Sequence, residues 1–305
     1  MFELFFLGTA AAAPAPERGL PATLVSCGRE RFLVDCGEGT TRQLARGRVG
    51  FRALQTVLLT HLHFDHLGGL AGFVATRELY GAKEEVEIVG SAETIAFARL
   101  YLETTVGGEG SYRLRPVLPG ILAERADFRI EAFPVTHRGT KSLGYLFERP
   151  PRRPLDPQRL ARFDIPEGPS RRALARGERV VLADGRAVEP EMVRGPLSAG
   201  TRLALVGDCE EGGSLEASVK GADALVIEAS FLERDRRLAR ARGHLCAAEA
   251  AELAAKAGVG RLILTHVSQR YRPEEIAAEA GRIFPDVRVA ADFERFSIGP
   301  RTPGG

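Results

Sequence analysis

The string Thr60-His61-Leu62-His63-Phe64-Asp65-His66 places three of the chain's six histidines and one carboxylate within six residues, directly after the apolar run Thr56-Val57-Leu58-Leu59. Extended backbone points alternate side chains the same way, so His61 and His63 can reach one metal ion while Asp65 and His66 face a second. In a packed core these groups would be desolvated side by side, and a bound dication offsets that cost.

The other candidate ligands also follow apolar runs. His137 comes after Phe133-Pro134-Val135-Thr136, and His266 after Leu262-Ile263-Leu264-Thr265. Asp208 closes Leu203-Ala204-Leu205-Val206-Gly207, where a carboxylate can bridge two ions. The set then divides into His61, His63 and His137 for one ion and Asp65, His66 and His266 for the other, with Asp208 between them. Two ions held about 3.5–4 Å apart activate water and stabilise charge developing on phosphoryl or carbonyl oxygens, so hydrolysis is the expected chemistry. Nitrogen and carboxylate ligands without thiolate favour zinc, with manganese or iron as alternatives. His244, in Arg242-Gly243-His244-Leu245-Cys246, is surplus to the ligand count. It is therefore a candidate general acid, with Glu228 at the end of the run Ala224–Ile227 as its orienting partner.

Such a site needs strand ends gathered at one edge. Strand-like runs are expected at Phe2–Leu7, Thr23–Cys27, Arg31–Val34, Thr56–Leu59, Val86–Val89, Phe128–Val135 and Ser142–Phe147. A second series is expected at Leu203–Val206, Ala224–Ile227, Arg261–Leu264 and Val287–Ala291. Helical patterns at Leu70–Tyr80, Thr94–Leu102, Ala247–Ala257 and Pro273–Ile283 alternate with them, which makes a layered α/β domain. Leu58-Leu59-Thr60-His61 returns as Ile263-Leu264-Thr265-His266, as if two related sheet units shared one site. From Pro150 to about residue 194 the pattern breaks into prolines, glycines and arginines, and the segment reads as an inserted arm. Gly37-Glu38-Gly39 and Gly107-Gly108-Glu109-Gly110 read as turns, and no phosphate-cradling glycine motif is present.

The 305 residues, 44% of them apolar, can bury a sizeable core. No apolar run approaches the roughly 20 residues of a membrane helix, so no membrane partner is expected. Met1 to Ala13 lacks a basic leader and reads as a first strand and loop. Cys27, Cys36, Cys209 and Cys246 show no C-x-x-C spacing, which fits a reducing cytoplasm. The formal charge of +2 conceals a local imbalance, since nine arginines from Arg149 to Arg179 face only Asp156, Asp164, Glu167 and Glu178. That excess suits either a solvated face or a phosphate-binding one.

Taken together, these strings resemble the metallo-β-lactamase superfamily and, within it, the short-form tRNase Z (ribonuclease Z) family. The likeness runs through Leu7-Gly8-Thr9, Asp35-Cys36-Gly37-Glu38-Gly39-Thr40, Gln43-Leu44, Gly144-Tyr145, Gly207-Asp208 and Glu228-Ala229 to Leu264-Thr265-His266-Val267-Ser268-Gln269-Arg270-Tyr271. The metal loop marks only the superfamily. The arm is more specific, because Ile165-Pro166-Glu167-Gly168-Pro169 and Leu182-Ala183-Asp184-Gly185-Arg186 resemble the family's tRNA-gripping exosite.

The resemblance implies an αββα sandwich, one domain over 1–305 with an inserted tRNA-binding arm at about 150–194, and a homodimer acting on precursor tRNA. It implies two zinc ions per chain, one on His61, His63, His137 and Asp208, the other on Asp65, His66, Asp208 and His266. Asp65 would also orient the attacking hydroxide, while His244, supported by Glu228, would protonate the departing 3′ oxygen. Substrate contacts would fall on Arg18, Arg171, Arg172, Arg176, Ser268 and Arg270. The family's His-Glu-Ala-Thr and His-Ser-Thr strings read Ile227-Glu228-Ala229-Ser230 and His244-Leu245-Cys246 here. Its Pro-x-Lys-x-Arg-Asn loop reads Pro14-Ala15-Pro16-Glu17-Arg18-Gly19, which implies weakened rejection of tRNAs already carrying CCA. The competing enzymatic reading is a superfamily hydrolase of small phosphodiesters or sulfate esters, and the non-catalytic one is an RNA-binding protein that has lost turnover.

Overall fold

Strand Phe2–Gly8 serves two cores at once: Phe2, Leu4 and Phe6 enter one and Phe5 and Leu7 the other. A strand covered on both faces has to be nearly continuous in apolar residues, and this one is. In the computed structural model, which describes residues 1–106 and 111–301, it is the second strand of a seven-stranded sheet. The sheet order is Arg295–Ile298, Phe2–Gly8, Ala22–Cys27, Glu30–Val34, Thr56–Leu58, Val86–Gly90, Tyr112–Pro116. A second seven-stranded sheet runs Val287–Val289, Arg261–Thr265, Ala224–Glu228, Thr201–Leu205, Thr140–Arg149, Arg129–His137, Gly120–Glu124.

Three buried layers hold these sheets. Phe6, Phe32, Leu58, Tyr145, Phe147, Leu205 and Ile263 pack between the sheets. Leu33, Val57 and Ile88 meet Phe73 and Leu102 of helices Leu70–Leu79 and Ala92–Thr105 on one outer face. Leu225, Ile227 and Leu264 meet Ala250, Leu253 and Ile276 of helices Ala247–Lys256 and Pro273–Gly281 on the other. The architecture is therefore helix, sheet, sheet, helix: an α/β sandwich.

The parallel parts of both sheets position the site. Glu30–Val34 pairs parallel with Thr56–Leu58, and Thr201–Leu205, Ala224–Glu228 and Arg261–Thr265 are parallel neighbours. Their carboxyl ends deliver Asp35, His61, Asp208, Glu228 and His266, and the crevice outside such ends is where α/β sheets place ligands.

Several elements lie outside the sequence expectation. Tyr112–Pro116, Gly120–Glu124 and Arg295–Ile298 are strands at or near sheet edges, half exposed and carrying Arg, Glu and Ser, so they lack an apolar run. Phe64–Leu67 forms a single helical turn inside the metal string, which is therefore not extended throughout. Helix Ala92–Thr105 begins two residues earlier than its apolar period suggests, because Ser91 caps it by accepting from the Thr94 N–H. Gly39 stands at φ 82° before helix Thr40–Arg46; the second glycine turn, at 107–110, lies outside the described residues.

Residues 150–200 form a compact unit separate from the rest of the chain. Helices Pro157–Arg162 and Pro169–Arg176 and the strand pair Val180–Val181 with Ala187–Val188 surround a small core of Leu160, Ile165, Leu174, Val188 and Val193. Asp156 caps the first helix by accepting from the N–H groups of Gln158 and Arg159.

Candidate metal centre

Two groups of potential ligands share Asp208. His61, His63, His137 and Asp208 form one, and Asp65, His66, Asp208 and His266 the other, each with its ligand atoms within 4.8 Å of one another. In the first, His63 Nδ1 lies 3.0 Å from His61 Nε2 and 3.2 Å from His137 Nε2, and both Nε2 atoms lie 3.7 Å from Asp208 Oδ2. In the second, Asp208 Oδ1 is 3.2 Å from the Nε2 atoms of both His66 and His266, while Asp65 Oδ2 is 3.7 and 3.5 Å from them. A tetrahedral zinc with Zn–N near 2.0–2.1 Å separates its ligand nitrogens by roughly 3.3 Å, so the spacing fits ligation. His66 Nε2, His266 Nε2 and Asp208 Oδ1 are buried without hydrogen-bond partners, although the separations above are short. Buried polar atoms left unpaired are rare, and these three aim at one focus.

The other ring nitrogens orient these rings. His66 Nδ1 lies 2.8 Å from Asp35 Oδ2, His137 Nδ1 lies 2.8 Å from the Gly243 carbonyl, and His266 Nδ1 lies 2.8 Å from Ser230 Oγ. Each such Nδ1–H donates outward and leaves Nε2 free for a metal, the usual arrangement around ligating histidines. His61 Nδ1 lies 3.0 Å from Thr60 Oγ1, which donates in turn to Asp35 Oδ2 at 2.9 Å. Asp35 therefore braces both His66 and, through Thr60, His61. Its own φ of 60° is left-handed, an uncommon conformation for a non-glycine residue. Gly207 has to lack a side chain, since a Cβ there would come within 2.7 Å of Thr60 Oγ1.

Electrostatics favour a cation at the focus. Burial alone would raise the Asp208 and Asp65 carboxyls, yet His266 and His66 hold both well below the usual range. Burial pushes the His66 imidazole down, but Asp208 and Asp35 together draw it well above its ordinary value. His61, His63 and His137 are depressed, first by burial and then by imidazole neighbours, which keeps their nitrogens neutral and available.

Beside the ligands, His244 Nδ1 lies 3.0 Å from both carboxylate oxygens of fully buried Glu228. Ser230 Oγ donates to Glu228 Oε2 at 2.5 Å and accepts from His266 Nδ1. The serine thus keeps the hydroxyl that the Thr of the family string would supply. Cys246 takes a different part: its N–H donates to Glu249 and it caps helix Ala247–Lys256.

The six expected substrate contacts divide. Ser268 and Arg270 line a cleft next to His244. Arg18 is engaged inward: its Nη1 donates to Thr9 Oγ1 at 2.5 Å and to the Ala290 carbonyl at 2.7 Å, so it ties the N-terminal loop to the C-terminal region. Within the 150–200 unit, Arg171 folds back onto the Ile165 carbonyl and Arg176 onto Glu178, whereas Arg172 is exposed and has no partner among the described residues. Arg153, Arg159, Arg179, Arg186 and Arg194 are also in ion pairs, and Arg152 and Arg162 join Arg172 as cations unpaired among the described residues. Spacing gives Asp35, Ser230, Arg138 and Arg242 no role of their own, although the first two stand in the family strings; a left-handed φ or an unpaired guanidinium is visible only in the fold.

Residues 2–105 match the family model described as "Anti-Pycsar protein Apyc1", and residues 169–267 the one described as "Beta-lactamase superfamily domain". A ribonuclease Z of Bradyrhizobium sp. (strain ORS 278) is 47% identical, with 98% of this chain and 100% of the relative covered. One of Bradyrhizobium diazoefficiens is 46% identical at the same coverage. The crystal structure of human tRNase Z, short form, superposes with a TM-score of 0.69 at 25% identity, covering 98% of this chain and 100% of that one. At this identity over nearly its whole length, the chain belongs to the ribonuclease Z family, hydrolytic endoribonucleases of the metallo-β-lactamase superfamily.

Proposed function

We propose that this protein is a zinc-dependent endoribonuclease that removes the 3′ trailer from precursor tRNA, leaving a 3′ hydroxyl on the tRNA and a 5′ phosphate on the trailer. The observation that carries the reading is Asp208, whose two oxygens face separate histidine groups while the His244–Glu228 pair stands alongside. His61, His63, His137 and Asp208 would hold one ion, and Asp65, His66, Asp208 and His266 the other. When bound, such ions activate water and neutralise charge on the phosphoryl oxygens.

The chain's own groups do the rest. Asp65 Oδ2 also accepts from the Ala12 N–H at 3.2 Å, which fixes a carboxylate where it can orient the incoming water. Water oxygen bonds to phosphorus as the P–O3′ bond breaks. With Nδ1 turned to Glu228, His244 presents its Nε2 proton to the departing O3′. The alkoxide thereby leaves as a neutral hydroxyl.

Arg152, Arg162 and Arg172 would meet tRNA phosphates through the 150–200 unit, fixing register without reading bases. Helices Leu70–Leu79 and Ala92–Thr105 expose Leu79, Tyr80 and Leu100, which supports the homodimer reading. All four cysteines are free and buried, in keeping with a reducing cytoplasm. No helix among the described residues is long and apolar enough to cross a membrane.

The test is cleavage of a precursor tRNA with a 3′ trailer by zinc-loaded protein, beside a small chromogenic phosphodiester. Efficient trimming that leaves a 3′ hydroxyl supports the reading. Turnover of the small diester alone would assign the protein to the small-ester hydrolases.

A further inference from the structure

A cleft of about 260 Å³ opens beside His244, with no carboxylate among its lining residues. Three arginines reach it: Arg138, Arg242 and Arg270. All three are exposed, and among the described residues none of their guanidinium groups makes a hydrogen bond or an ion pair. Their surroundings are not short of acids. On helix Arg236–Arg242, Arg236 is tied to Glu233 and Arg240 to Glu249. Glu210, beside Arg138 and Gly243 in the fold, accepts from the Arg138 backbone N–H at 2.8 Å and leaves the guanidinium free.

The Arg138 side chain is held in this position by backbone. Its φ is 45°, in the left-handed region, and its Cγ passes so close to Gly243 that a Cβ there would come within 2.4 Å of it. Gly243 itself sits at φ 72°. Left-handed conformation in a bulky residue is strained, and such strain gathers at functional sites. Phe231 and Leu238 add large apolar side chains to the same lining.

The chemistry of the reaction says which part of the substrate lies here. His244 protonates O3′, and O3′ belongs to the last nucleotide that stays on the tRNA. The space beyond His244, away from the ligand clusters, therefore takes that nucleotide and its own 5′ phosphate. We propose that Arg138 and Arg242, with Arg270, form a binding site for the 3′-terminal ribonucleotide of the trimmed tRNA, the arginines holding its 5′ phosphate and Phe231 and Leu238 facing its sugar and base. The site's ligand class is a ribonucleoside 5′-monophosphate with a free 3′ hydroxyl. This assignment rests on the functional reading above, because the direction of the chain across His244 follows from which oxygen departs.

Isothermal titration of the zinc-loaded protein with adenosine 5′-monophosphate, adenosine 3′-monophosphate and adenosine tests it without relying on turnover. The 5′-monophosphate should bind about tenfold or more tighter than adenosine, since charge-assisted hydrogen bonds to one phosphate are lost in the nucleoside. Arg138→Ala and Arg242→Ala should each weaken the 5′-monophosphate about tenfold while leaving adenosine binding in place, and Arg138→Lys should fall between. Arg125→Ala, which removes an exposed arginine paired with Glu30, serves as the charge-matched control and should bind as the parent does. Each variant's melting temperature and zinc content, measured first, separate a misfolded protein from one that has lost the contact. Equal binding of the 5′-monophosphate by the parent, Arg138→Ala and Arg242→Ala would place the phosphate on the metal ligands and overturn the proposal. So would 5′-monophosphate binding no tighter than adenosine. Failure of the functional reading has a different signature, namely precursor tRNA left uncut by the parent protein whatever the titrations show.

Discussion

His244 Nδ1 lies 3.0 Å from each carboxylate oxygen of Glu228, a residue with no solvent exposure. Burial alone would push the imidazole down; the charge and hydrogen bond of Glu228, aided by Asp208, more than reverse this and raise it to about 9. A general acid of that kind keeps its proton below about pH 9, and activity that depends on it is lost as pH rises through that value. Glu228→Gln removes the charge, so the alkaline limb should move down toward the ordinary histidine value of about 6.5. His244→Ala should lower single-turnover cleavage by about 10²–10⁴-fold. Cleavage rates measured from pH 6 to 10 on both variants check this, and an unmoved limb in Glu228→Gln would remove Glu228 from the role.

Two metal ions per chain are expected from the two ligand groups that share Asp208. Elemental analysis after reconstitution should find both, and a single ion would exclude the dinuclear arrangement. Asp65→Ala and His244→Ala should both reduce turnover strongly, but only the former should lower metal content. The reverse pattern would show that the two roles have been exchanged.

Asp35 accepts from His66, from the Thr60 N–H at 2.8 Å and from the Thr60 hydroxyl, all in a buried setting. Asp35→Ala leaves each of these donors unpaired, and breaking a buried pair of this kind costs about 3–5 kcal/mol. Metal affinity should fall about 10–100-fold as His66 loses its orientation. Urea unfolding of the metal-free protein and zinc titration measure the two effects separately. Wild-type zinc affinity in a destabilised Asp35→Ala would show that the residue supports the fold alone.

Arg152, Arg162 and Arg172 have no partner in the 150–200 unit, whereas Arg153 is paired with Glu191. Replacing the three free arginines with alanine should raise the KM for precursor tRNA and flatten its salt dependence by about 0.7–0.9 logarithmic units per lost phosphate contact. Arg153→Ala should do much less. A salt slope unchanged in the triple variant would mean that this unit meets no phosphate.

The Pro14-to-Gly19 loop lacks the Lys and Asn of the family string, and its Arg18 is engaged with Thr9 and Ala290. No cation of that string is then left to reject a 3′ CCA, and precursors carrying CCA should be cut. Mapping product ends on matched precursors with and without CCA decides it; strong inhibition by CCA would assign the rejection to other residues. Arg18→Ala should cost about 1–3 kcal/mol of stability, because it leaves a buried carbonyl unpaired. A wild-type melting temperature in that variant would contradict the packing role.

The sequence by itself made the candidate ligand set and the layered class legible, since both are local. His61, His137, Asp208 and His266 each follow an apolar run, and a run buried on both faces can be read without knowing what covers it. Arginines in the arm could be counted but not sorted, because whether Arg172 is free or Arg176 is spent depends on where Glu178 falls after the chain has turned. Edge strands such as Tyr112–Pro116 were illegible for a related reason: half exposed, they need no apolar run, and only pairing with Val86–Gly90 makes them strands. Tertiary structure alone decided the rest. Asp35 reaches His66 across 31 residues, Arg18 reaches Ala290 across 272, and Arg138 meets Gly243 only when two loops cross beside His137. Hydrogen bonds and close backbone approaches act over a few ångströms whatever the sequence separation, so the residues that orient the metal ligands and wall the cleft emerge only once the two sheets have closed on one another.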